Sequence, residues 1–508
     1  MYILTSNEMK LLDRKTIEEI GIPSRVLMER AGVSVVLSME HEFGPLENLD
    51  FLVLVGGGNN GGDGLVVART LLDYTPNVTA VLTKENLRGD PLENLKAFER
   101  VGGEYAVLGK DISIEELEYL IMSSDVVIDA MLGIGVKGEL KEPISSIVDM
   151  VNQSPARKVC VDLPSGVDSD TGKILGKAVK CDLTVTFAYP KIGHILYPGR
   201  KYVGKLKVAS IGIPRIIASD IKRAIITEDL VKSLIPVREK DSNKGTYGRV
   251  GIIGGSLLYS GAPILSALGS MKSGAGLTYV FVPKEIHAAV ISNYPEAISI
   301  PLESCGGYLC KKSFGSLKEW IEKMSVLAIG PGMGLNEYTI EFLKMIIDVE
   351  KPIVLDADGL NALSKIDADI LKNRKSQTVL TPHPGEFSRL VKNSVEEVLY
   401  NYRLAEKFAK QHGVVLVLKS ATTIITDGEN TLFNLTGNTG LSKGGSGDVL
   451  TGVIASLMAQ GLNSFEASIL GVYLHGVAAH LNKSDESGLL PTELAKMIPD
   501  VLKSLKKR

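Results

Sequence analysis

Short apolar runs that stop at glycine-rich loops recur along the chain and restrict its fold more than any other feature. The first is "FLVLV" (51–55), which leads into "GGGNNGGDG" (56–64) and then into a helical pattern. Further runs in the first half are "VTAVL", "DVVIDAML", "KVCVDLPSG", "DLTVTFAY" and "GKLKVASIG". Helix-length segments lie between most of them, and two amphipathic stretches precede them (about residues 7–20 and 24–40). This alternation predicts an α/β fold in which helices cover a parallel sheet.

The alternation lapses in a charged stretch at residues 214–245 and then begins again. The second series contains "RVGIIGGS", "TYVFVP", "VLAIGPGMG", "PIVLDADGLNAL", "TVLTPHPGEF" and "VVLVLKSATTIITDG". At 508 residues the chain is too long for one ordinary core, and no internal repeat links its halves. We therefore expect two different α/β domains, residues 1–225 and 226–508.

Composition excludes several classes of partner. Lys plus Arg number 56 against 59 for Asp plus Glu, and no segment combines basic with aromatic residues, so nucleic-acid binding is not expected. The N-terminus lacks the pattern of a signal peptide, and no run approaches the roughly 18 apolar residues of a membrane span. These features predict a cytoplasmic protein.

The cysteines (Cys160, Cys181, Cys305 and Cys310) have neither zinc-site nor disulfide-scaffold spacing and are expected to be free thiols.

The stretch "GGSGDVLTG" (444–452) places a carboxylate, Asp448, directly after a glycine-rich loop. Apolar residues then recur at helical spacing, which predicts a helix from about residue 448. The free amides of the loop and of the helix end form an anion site. A carboxylate there repels phosphate, so its presence indicates a chemical role. A general base for phosphoryl transfer to a hydroxyl fits the position. The alternative is that Asp448 only caps the helix.

Polar residues of the first half are expected together at one edge of its sheet. Asp125, Asp129 and Asp162 belong to strand segments whose ends and following loops build the ligand crevice of a doubly wound sheet. The loop "GGGNNGGDG" satisfies the spacing G-x-G-x-x-G, which alone is a weak sign of a dinucleotide site. Its two adjacent asparagines suit a polar ligand or an alkali ion. For Asp162 the alternative is a structural role in capping the "LPSG" turn.

Motifs in the second half resemble the ribokinase-like superfamily, namely "LKSATTIITDG", "NTG" and "GGSGD". Within that superfamily, "GPGMG", "DADGLNAL" and "HPGE" are similar to the nucleotide-dependent NAD(P)H-hydrate dehydratases. The resemblance covers most of residues 230–500. It implies a ribokinase-like α/β domain that dehydrates the S epimer of hydrated NADH or NADPH, with Mg²⁺ and ADP or ATP as co-substrate. Asp448 is then the base that helps to phosphorylate the hydroxyl of the hydrate.

The same resemblance implies contacts for individual residues of the second half. The hydrate is expected to contact Ala262, Gly332, Met333, Gly334, His383, Pro384, Gly385 and Glu386. The nucleotide is expected to contact Lys419, Ser420, Ala421, Thr422, Thr423, Asn438, Thr439, Gly440, Gly444, Gly445, Ser446 and Gly447. For His383 the alternative is a turn histidine held between its two flanking prolines.

In the first half, "GNNGGDG", "DAMLGIG" and "VDLPSGVD" resemble the NAD(P)H-hydrate epimerase domain. The resemblance implies a Rossmann-like, doubly wound sheet with Asp162 as the acid/base residue. It implies contacts with the hydrate from Asn59, Asn60, Gly61, Gly62, Asp63, Asp129, Ala130, Met131, Leu132, Gly133, Ile134, Gly135 and Asp162. It also implies a potassium ion at Asn60, Asp125 and Ser165.

Together the halves resemble the bifunctional NAD(P)H-hydrate repair enzymes. Epimerisation would convert the R hydrate into the S hydrate that the dehydratase consumes. The expected partners are small molecules, with a homo-oligomer also possible. Two alternatives stay open: the second half is a vitamin-type kinase, or the first half is a noncatalytic binding module.

Overall fold

The computed structural model describes residues 1–506 and divides the chain into two compact units, Met1–Ile221 and a second that begins at Lys222. The predicted boundary near residue 225 differs slightly, because residues 223–225 form the first strand of the second unit. Among residues 1–506, none of the helices combines the length and apolar character needed to cross a bilayer.

The first unit alternates helices and strands as the apolar runs predict. In chain order its elements are α1 (Ser6–Glu18), α2 (Ser24–Phe43), β1 (Phe51–Val55), α3 (Asn59–Leu71), β2 (Val78–Leu82), α4 (Asp90–Arg100), β3 (Glu104–Val107), α5 (Ile114–Ser123), β4 (Val126–Ala130), α6 (Ile144–Gln153), β5 (Arg157–Val161), β6 (Leu183–Phe187) and β7 (Lys205–Ala209).

The strands form one parallel sheet in the order β3-β2-β1-β4-β5-β6-β7. Alternate residues of β1 point into different apolar layers, with Val53 and Val55 on one face and Leu52 and Leu54 on the other. Helices cover both faces, so the predicted doubly wound sheet is confirmed. The strand order reverses beside β1, and ligands of such sheets bind at that point, outside the carboxyl ends of the strands.

The second unit is a larger α/β unit. Its elements are β8 (Arg223–Ile225), α7 (Glu228–Leu234), β9 (Arg249–Ile253), α8 (Gly261–Ser273), β10 (Leu277–Pro283), α9 (His287–Asn293), β11 (Ile298–Leu302), α10 (Lys311–Ile321), β12 (Val326–Ile329), α11 (Glu337–Ile346), β13 (Ile353–Leu355), α12 (Asp358–Ile366), β14 (Thr378–Leu380), α13 (Pro384–Val391), α14 (Val395–Tyr400), α15 (Arg403–His412), β15 (Val415–Leu418), β16 (Thr423–Thr426), β17 (Thr431–Asn434), α16 (Ser446–Ala459), α17 (Ser464–His480) and α18 (Pro491–Lys506).

Its strands pair in the order β11-β10-β9-β12-β13-β14-β15-β16-β17-β8. The strands from β11 to β15 in this order are parallel, whereas β16 is antiparallel to both of its neighbours. The apolar runs therefore predict the centre of the sheet correctly but not its antiparallel margin.

Close packing of α8 on α16 fixes the position of the glycine-rich stretch. A Cβ atom on Gly452 would lie 1.9 Å from the carbonyl oxygen of Ser266, and one on Gly269 would lie 2.3 Å from that of Val449. Glycine at both positions lets the two helix backbones approach each other. The Ser266 hydroxyl also donates a hydrogen bond to the carbonyl oxygen of Asp448 at 2.8 Å. The first turn of α16 is therefore held rigidly against α8.

The cysteines are only partly as predicted. Cys160 and Cys181 are free and buried, but Cys305 and Cys310 form a disulfide. The turn between them contains two glycines with positive φ (61° and 78°), which brings the cysteine Cα atoms to 6.0 Å. The prediction of four free thiols is therefore wrong for this pair, because a local turn joins them rather than a scaffold of several bridges.

Candidate active sites

A cavity of about 910 Å³ opens at the carboxyl ends of the strands of the first unit. It is lined by the glycine loop after β1, the segment after β4 and the carboxylate after β5. The loop and the segment lie so close that a Cβ atom on Gly56 would come within 1.7 Å of the carbonyl oxygen of Met131. Of the residues predicted to contact the hydrate, those that line the cavity are Asn59, Asn60, Asp63, Met131, Leu132, Gly133, Ile134, Gly135 and Asp162.

The other predicted residues of this set lie just behind the cavity. Gly61 and Gly62 belong to the first turn of α3, and Asp129 and Ala130 are the last residues of β4. All four are buried. They shape the cavity wall through their backbone and, for Asp129, through hydrogen bonds.

Asp162 is buried and adopts a left-handed backbone conformation with φ of 66°, which is rare outside glycine. Its carboxylate lies 2.5 Å from the Lys191 ammonium group and accepts a hydrogen bond from the Thr186 hydroxyl at 2.8 Å. These contacts go to β6 and the segment after it rather than to the "LPSG" turn. The alternative that Asp162 only caps that turn is therefore not supported.

The local charges keep Asp162 ionised. Burial would raise the pKa of its carboxyl, but the charge of Lys191, the neighbouring His194 and hydrogen bonds from Lys191 and Thr186 outweigh it and lower the pKa. Burial lowers the pKa of His194 to about 4. The neutral His194 ring therefore donates from Nε2 to the Asp162 carbonyl oxygen at 2.7 Å.

Two further carboxyls of the same cavity have raised pKa values, in contrast to Asp162. Burial raises the pKa of Asp13, on α1, to about 6, against the opposing charge of Lys191. Burial and the charges of Asp162 and Asp13 raise the pKa of Asp63. The cavity thus contains one carboxyl whose pKa is lowered and two whose pKa values are raised, an arrangement that suits acid/base chemistry.

Sequence reasoning missed Lys191, His194 and Asp13. The first two lie in "FAYPKIGHILYPG", where a lysine and a histidine interrupt an otherwise apolar stretch. Lys191 is only 1% exposed. A charged residue in such a stretch needs a buried partner, and this was the signal available in the sequence.

A second polar network lies at the end of β4. Asp129 accepts hydrogen bonds from the Ser165 hydroxyl at 2.6 Å and the Ser165 amide at 2.8 Å. The same hydroxyl accepts from the Leu132 amide, and the Asn60 side-chain amide donates to the Leu132 carbonyl oxygen at 2.9 Å. Burial raises the pKa of Asp129 to about 6, against the effect of these hydrogen bonds. Asp129 and Ser165 are therefore in direct contact, and Asn60 is joined to them through the backbone of Leu132.

The predicted role of Asp125 beside Asn60 and Ser165 is wrong. Asp125 comes just before β4 and lies at the opposite, amino edge of the sheet, where its exposed carboxylate accepts a hydrogen bond from the Asp50 amide. Four residues along a strand span about 13 Å, which separates it from Asp129. The error arises because the segment "DVVIDA" offers two aspartates, of which only the second is at the carboxyl end of the strand.

Asp129 also lies close to the two free thiols. Ligand atoms of Asp129, Cys160 and Cys181 are all within 4.8 Å of one another. Burial raises the pKa of both thiols, and each donates weakly to a backbone carbonyl oxygen. They therefore pack as protonated side chains in the apolar layer.

In the second unit, Asp448 is the third residue of α16 and not its N-cap, which is Gly445 with φ of 98°. The alternative role of Asp448 as a helix cap is therefore wrong. Burial raises the pKa of Asp448 to about 7, and the charge of Asp356 adds to this effect, while the charge of Lys419 opposes it. The carboxyl can thus take up and release a proton near neutral pH.

An ion pair between a half-buried lysine and a buried aspartate lies beside Asp448. The Lys419 ammonium group is 2.7 Å from one carboxylate oxygen of Asp356, and the Thr451 hydroxyl donates to the other at 2.7 Å. A Cβ atom on Gly447 would lie 3.1 Å from the Lys419 nitrogen, so the glycine makes room for the lysine. Lys419 is a predicted nucleotide contact, whereas Thr451 is a residue that sequence reasoning missed.

His383 and Glu386 lie at the amino end of α13 and form a capping box. The Glu386 carboxylate accepts from the His383 amide at 2.8 Å, and His383 Nδ1 accepts from the Gly385 amide at 3.0 Å. Burial raises the pKa of Glu386 to about 7, opposed by the charge of Lys419. His383 thus has a structural role in its turn, as the alternative proposed, and it is also half-exposed beside the Lys419–Asp356 pair.

Gly332 and Ala262, predicted to contact the hydrate, lie together: a Cβ atom on Gly332 would be 2.9 Å from that of Ala262. The Gly334 amide donates to Asp358 at 2.8 Å. Met333, in contrast, is fully buried and its side chain is part of the core. A contact of Met333 with the hydrate would therefore come from its backbone, and it stays a prediction.

The predicted nucleotide contacts come from two loops, one between β15 and β16 and one before α16. Thr422, Gly440 and Ser446 are buried, and Ser420, Ala421, Thr439 and Gly444 are exposed. The Thr439 hydroxyl and amide both donate to Glu486. Contact of these loops with a nucleotide stays a prediction.

Comparisons with known proteins agree with this arrangement. The family model described as NAD(P)H-hydrate dehydratase matches residues 250–500, and the model described as YjeF-related protein N-terminus matches residues 24–193. A bifunctional NAD(P)H-hydrate repair enzyme from Moorella thermoacetica is 38% identical over 99% of this chain and 97% of its own length. One from Thermofilum pendens is 36% identical over 100% of this chain and 97% of its own length. The chain belongs to the family of bifunctional NAD(P)H-hydrate repair enzymes.

A solved structure agrees with the fold of the second half in this family. A ribokinase-like superfamily protein from Enterococcus faecalis V583 matches with a TM-score of 0.50 and 28% identity, covering 56% of this chain and 96% of that one. The ribokinase-like fold predicted for the second half is thus confirmed.

The buried pair in the first unit predicts a large loss of stability when Lys191 is removed. Lys191→Met should leave Asp162 buried without its counter-ion and destabilise the first unit by about 3–5 kcal/mol. The loss should shrink as pH falls, because burial then raises the Asp162 pKa in the folded variant and protonation removes the unpaired charge. Hydrogen exchange of β1 and β5 in the full chain measures this free energy.

Lys205→Met is the matched control, because Lys205 forms an exposed ion pair with Glu42. Its loss should change the stability by no more than about 1 kcal/mol. Equal effects of the two substitutions would contradict the importance assigned to the buried pair.

Proposed function

We propose that this chain repairs hydrated NADH and NADPH in two steps. The first unit interconverts the R and S epimers of the hydrate, and the second dehydrates the S epimer with ADP or ATP. The observation that carries the proposal is Asp448, whose carboxyl has a pKa near 7 and sits behind a glycine run and beside the Lys419–Asp356 pair. Family membership over the full chain supports the substrate. A vitamin-type kinase fused to a binding module is not favoured, because the full-length relatives carry the repair name.

In the first unit, epimer exchange requires loss and return of water, or ring opening, at one carbon of the hydrated ring. Asp63, whose pKa is raised by burial and by the charges of Asp162 and Asp13, donates a proton to the departing hydroxyl oxygen, and the lone pair of the ring nitrogen replaces the broken C–O bond. Water then adds to either face of the ring, and Asp162, held ionised by Lys191, accepts the proton that this water loses as the new C–O bond forms. Return of that proton to Asp63 restores the site. No nucleotide takes part in this exchange.

A potassium ion fits the oxygen-rich network at the end of β4. Asn60, Asp129 and Ser165 would hold it, since alkali ions take hard oxygen ligands and Asp129 is a buried carboxylate with a raised pKa. The ion would supply positive charge close to the glycine loop. This proposal keeps Asn60 and Ser165 from the sequence prediction and replaces Asp125 by Asp129.

In the second unit, the hydroxyl of the S hydrate is a poor leaving group and is activated by phosphorylation. Asp448 accepts the hydroxyl proton as the oxygen attacks the terminal phosphorus of the nucleotide, and the bond from that phosphorus to the bridging oxygen breaks, so that ADP leaves from ATP or AMP from ADP. The amides of the loop Gly444–Gly447 stabilise charge on the transferred group. The C–O bond then breaks, phosphate leaves with the bonding electrons, and a proton lost from the adjacent carbon completes the double bond.

Mg²⁺ that arrives with ADP or ATP would neutralise the phosphate charges. The carboxylates that face this region are Asp356, Asp358 and Glu386, the same groups whose charge raises the pKa of Asp448. The cytoplasmic location and a homo-oligomeric state stay predictions.

The two activities should be separable by single substitutions. Asp162→Ala should abolish enzyme-dependent conversion of R to S hydrate and leave nucleotide-driven loss of the S hydrate largely intact. Asp448→Asn should do the reverse, and it should lower the dehydration rate by about 10²-fold or more because it removes the base and preserves the shape. Chromatography of both epimers, corrected for spontaneous exchange, measures the two rates. The two-site proposal is wrong if either substitution removes both activities or neither in a folded chain.

The dehydration rate should depend on the ionisation of Asp448. Because the base must be deprotonated, the rate should rise with pH through about 7. Asp356→Asn removes a charge that raises the Asp448 pKa and frees Lys419 to lower it further, so this rise should move to lower pH by about one unit. The measurement is kcat/KM for the S hydrate across the pH range at saturating nucleotide.

Asp369→Asn serves as a control, because Asp369 is an exposed acid paired with Lys372 and does not contribute to the Asp448 pKa. Its pH profile should match that of the unmodified chain. An unchanged profile for Asp356→Asn would count against Asp448 as the group that titrates.

A further inference from the structure

Besides Lys191, the lysines that line the first-unit cavity are Lys10, Lys84, Lys137 and Lys141, and none of them belongs to the acid/base group or the oxygen-rich network. Lys84 follows β2, lines the cavity and lies across the glycine loop. A Cβ atom on Gly57 would be 3.1 Å from Lys84 Cδ and 3.5 Å from its Cβ. The aliphatic part of the Lys84 side chain therefore packs on the glycine backbone, and Lys84 is an exposed residue of the cavity lining.

Lys84 and Asp162 lie at opposite ends of this cavity. The strands that carry them are separated by β1 and β4, so they are three strand spacings, about 14 Å, apart. A dinucleotide whose reacting ring lies at Asp162 would place its pyrophosphate over the glycine loop and the amino end of α3. Its adenosine ribose would then reach the end of β2, where Lys84 is.

The charges at the end of β2 favour a ribose that carries a phosphate. In dinucleotide-binding sheets a carboxylate near this place holds the 2′-hydroxyl, whereas a cation accommodates a 2′-phosphate. Here the adjacent Glu85 is paired with Lys110, and Asp90 accepts from Ser24 and Arg25. Lys84 forms no hydrogen bond or ion pair with any of residues 1–506. The charge that faces the ribose position is thus an unpaired ammonium group.

We propose that Lys84 binds the 2′-phosphate of hydrated NADPH and makes the first unit prefer this substrate to hydrated NADH. The inference rests on the epimerase activity proposed above. It assigns Lys84 to specificity and not to the chemical step, because the ends of the strands that carry Lys84 and Asp162 are about 14 Å apart.

The test is the ratio of kcat/KM for the R hydrates of NADPH and NADH, measured on the full chain without nucleotide. Lys84→Ala should lower kcat/KM for the NADPH hydrate about tenfold, mainly by raising KM. It should change kcat/KM for the NADH hydrate only slightly. Lys84→Arg should keep the preference. Lys84→Glu should reverse it, because a carboxylate repels the phosphate and accepts from a free 2′-hydroxyl. The preference of the unmodified chain should also weaken as salt is added.

Lys137→Ala is the matched control, since Lys137 lines the same cavity on the side of β4. It removes the same charge, so it should leave the ratio between the two hydrates unchanged even if both rates fall. The inference is overturned if Lys84→Ala lowers kcat/KM equally for both hydrates. It is also overturned if Lys137→Ala shifts the ratio of the two kcat/KM values as much as Lys84→Ala does. If the unmodified chain epimerises neither hydrate, the proposed epimerase function is wrong as well. If it epimerises both hydrates but Lys84→Ala leaves the ratio unchanged, only the inference about Lys84 is wrong.

Discussion

In each unit a lysine pairs with a buried aspartate at the carboxyl edge of the sheet, and the other functional side chains are arranged around that ion pair. Lys191 pairs with Asp162 in the first unit, and Lys419 pairs with Asp356 in the second. A charge taken out of water is strongly unfavourable unless it is paired and hydrogen-bonded. The hydroxyls of Thr186 and Thr451 complete these pairs. The positions of all four charged groups are therefore tightly determined.

The pairs also divide the remaining carboxyls by protonation state. Asp162 is held ionised, while the pKa of Asp13 is raised to about 6 and that of Asp448 to about 7. Each site holds more carboxyls than lysines, so not all of the negative charge is balanced by a lysine, and the carboxyls without such a partner bind protons more readily. Groups that exchange protons near neutral pH follow directly from this imbalance, and they are what both proposed reactions require.

The apolar runs and glycine loops predicted most of the fold, because strands buried on both faces leave a continuous apolar signal. Strand β3 was missed since its residues are mostly exposed, and the antiparallel strands β16 and β17 were not distinguished from parallel ones. Motif spacing located Asp448, which follows a glycine loop, and Asp162, which follows a strand. It could not locate Lys191, whose contact with Asp162 joins residues 29 positions apart, nor choose correctly between Asp125 and Asp129.

The central claim is that one chain carries two successive repair reactions, and one time course tests it directly. The full chain is mixed with both epimers of hydrated NADPH, Mg²⁺ and K⁺, and the epimers and NADPH are separated by chromatography before and after ADP or ATP is added. The account predicts that without nucleotide the epimers only interconvert, faster than in buffer, and that with nucleotide both are consumed and NADPH appears. Release of a stable phosphorylated product, or an R epimer that persists after the S epimer is exhausted, would contradict it.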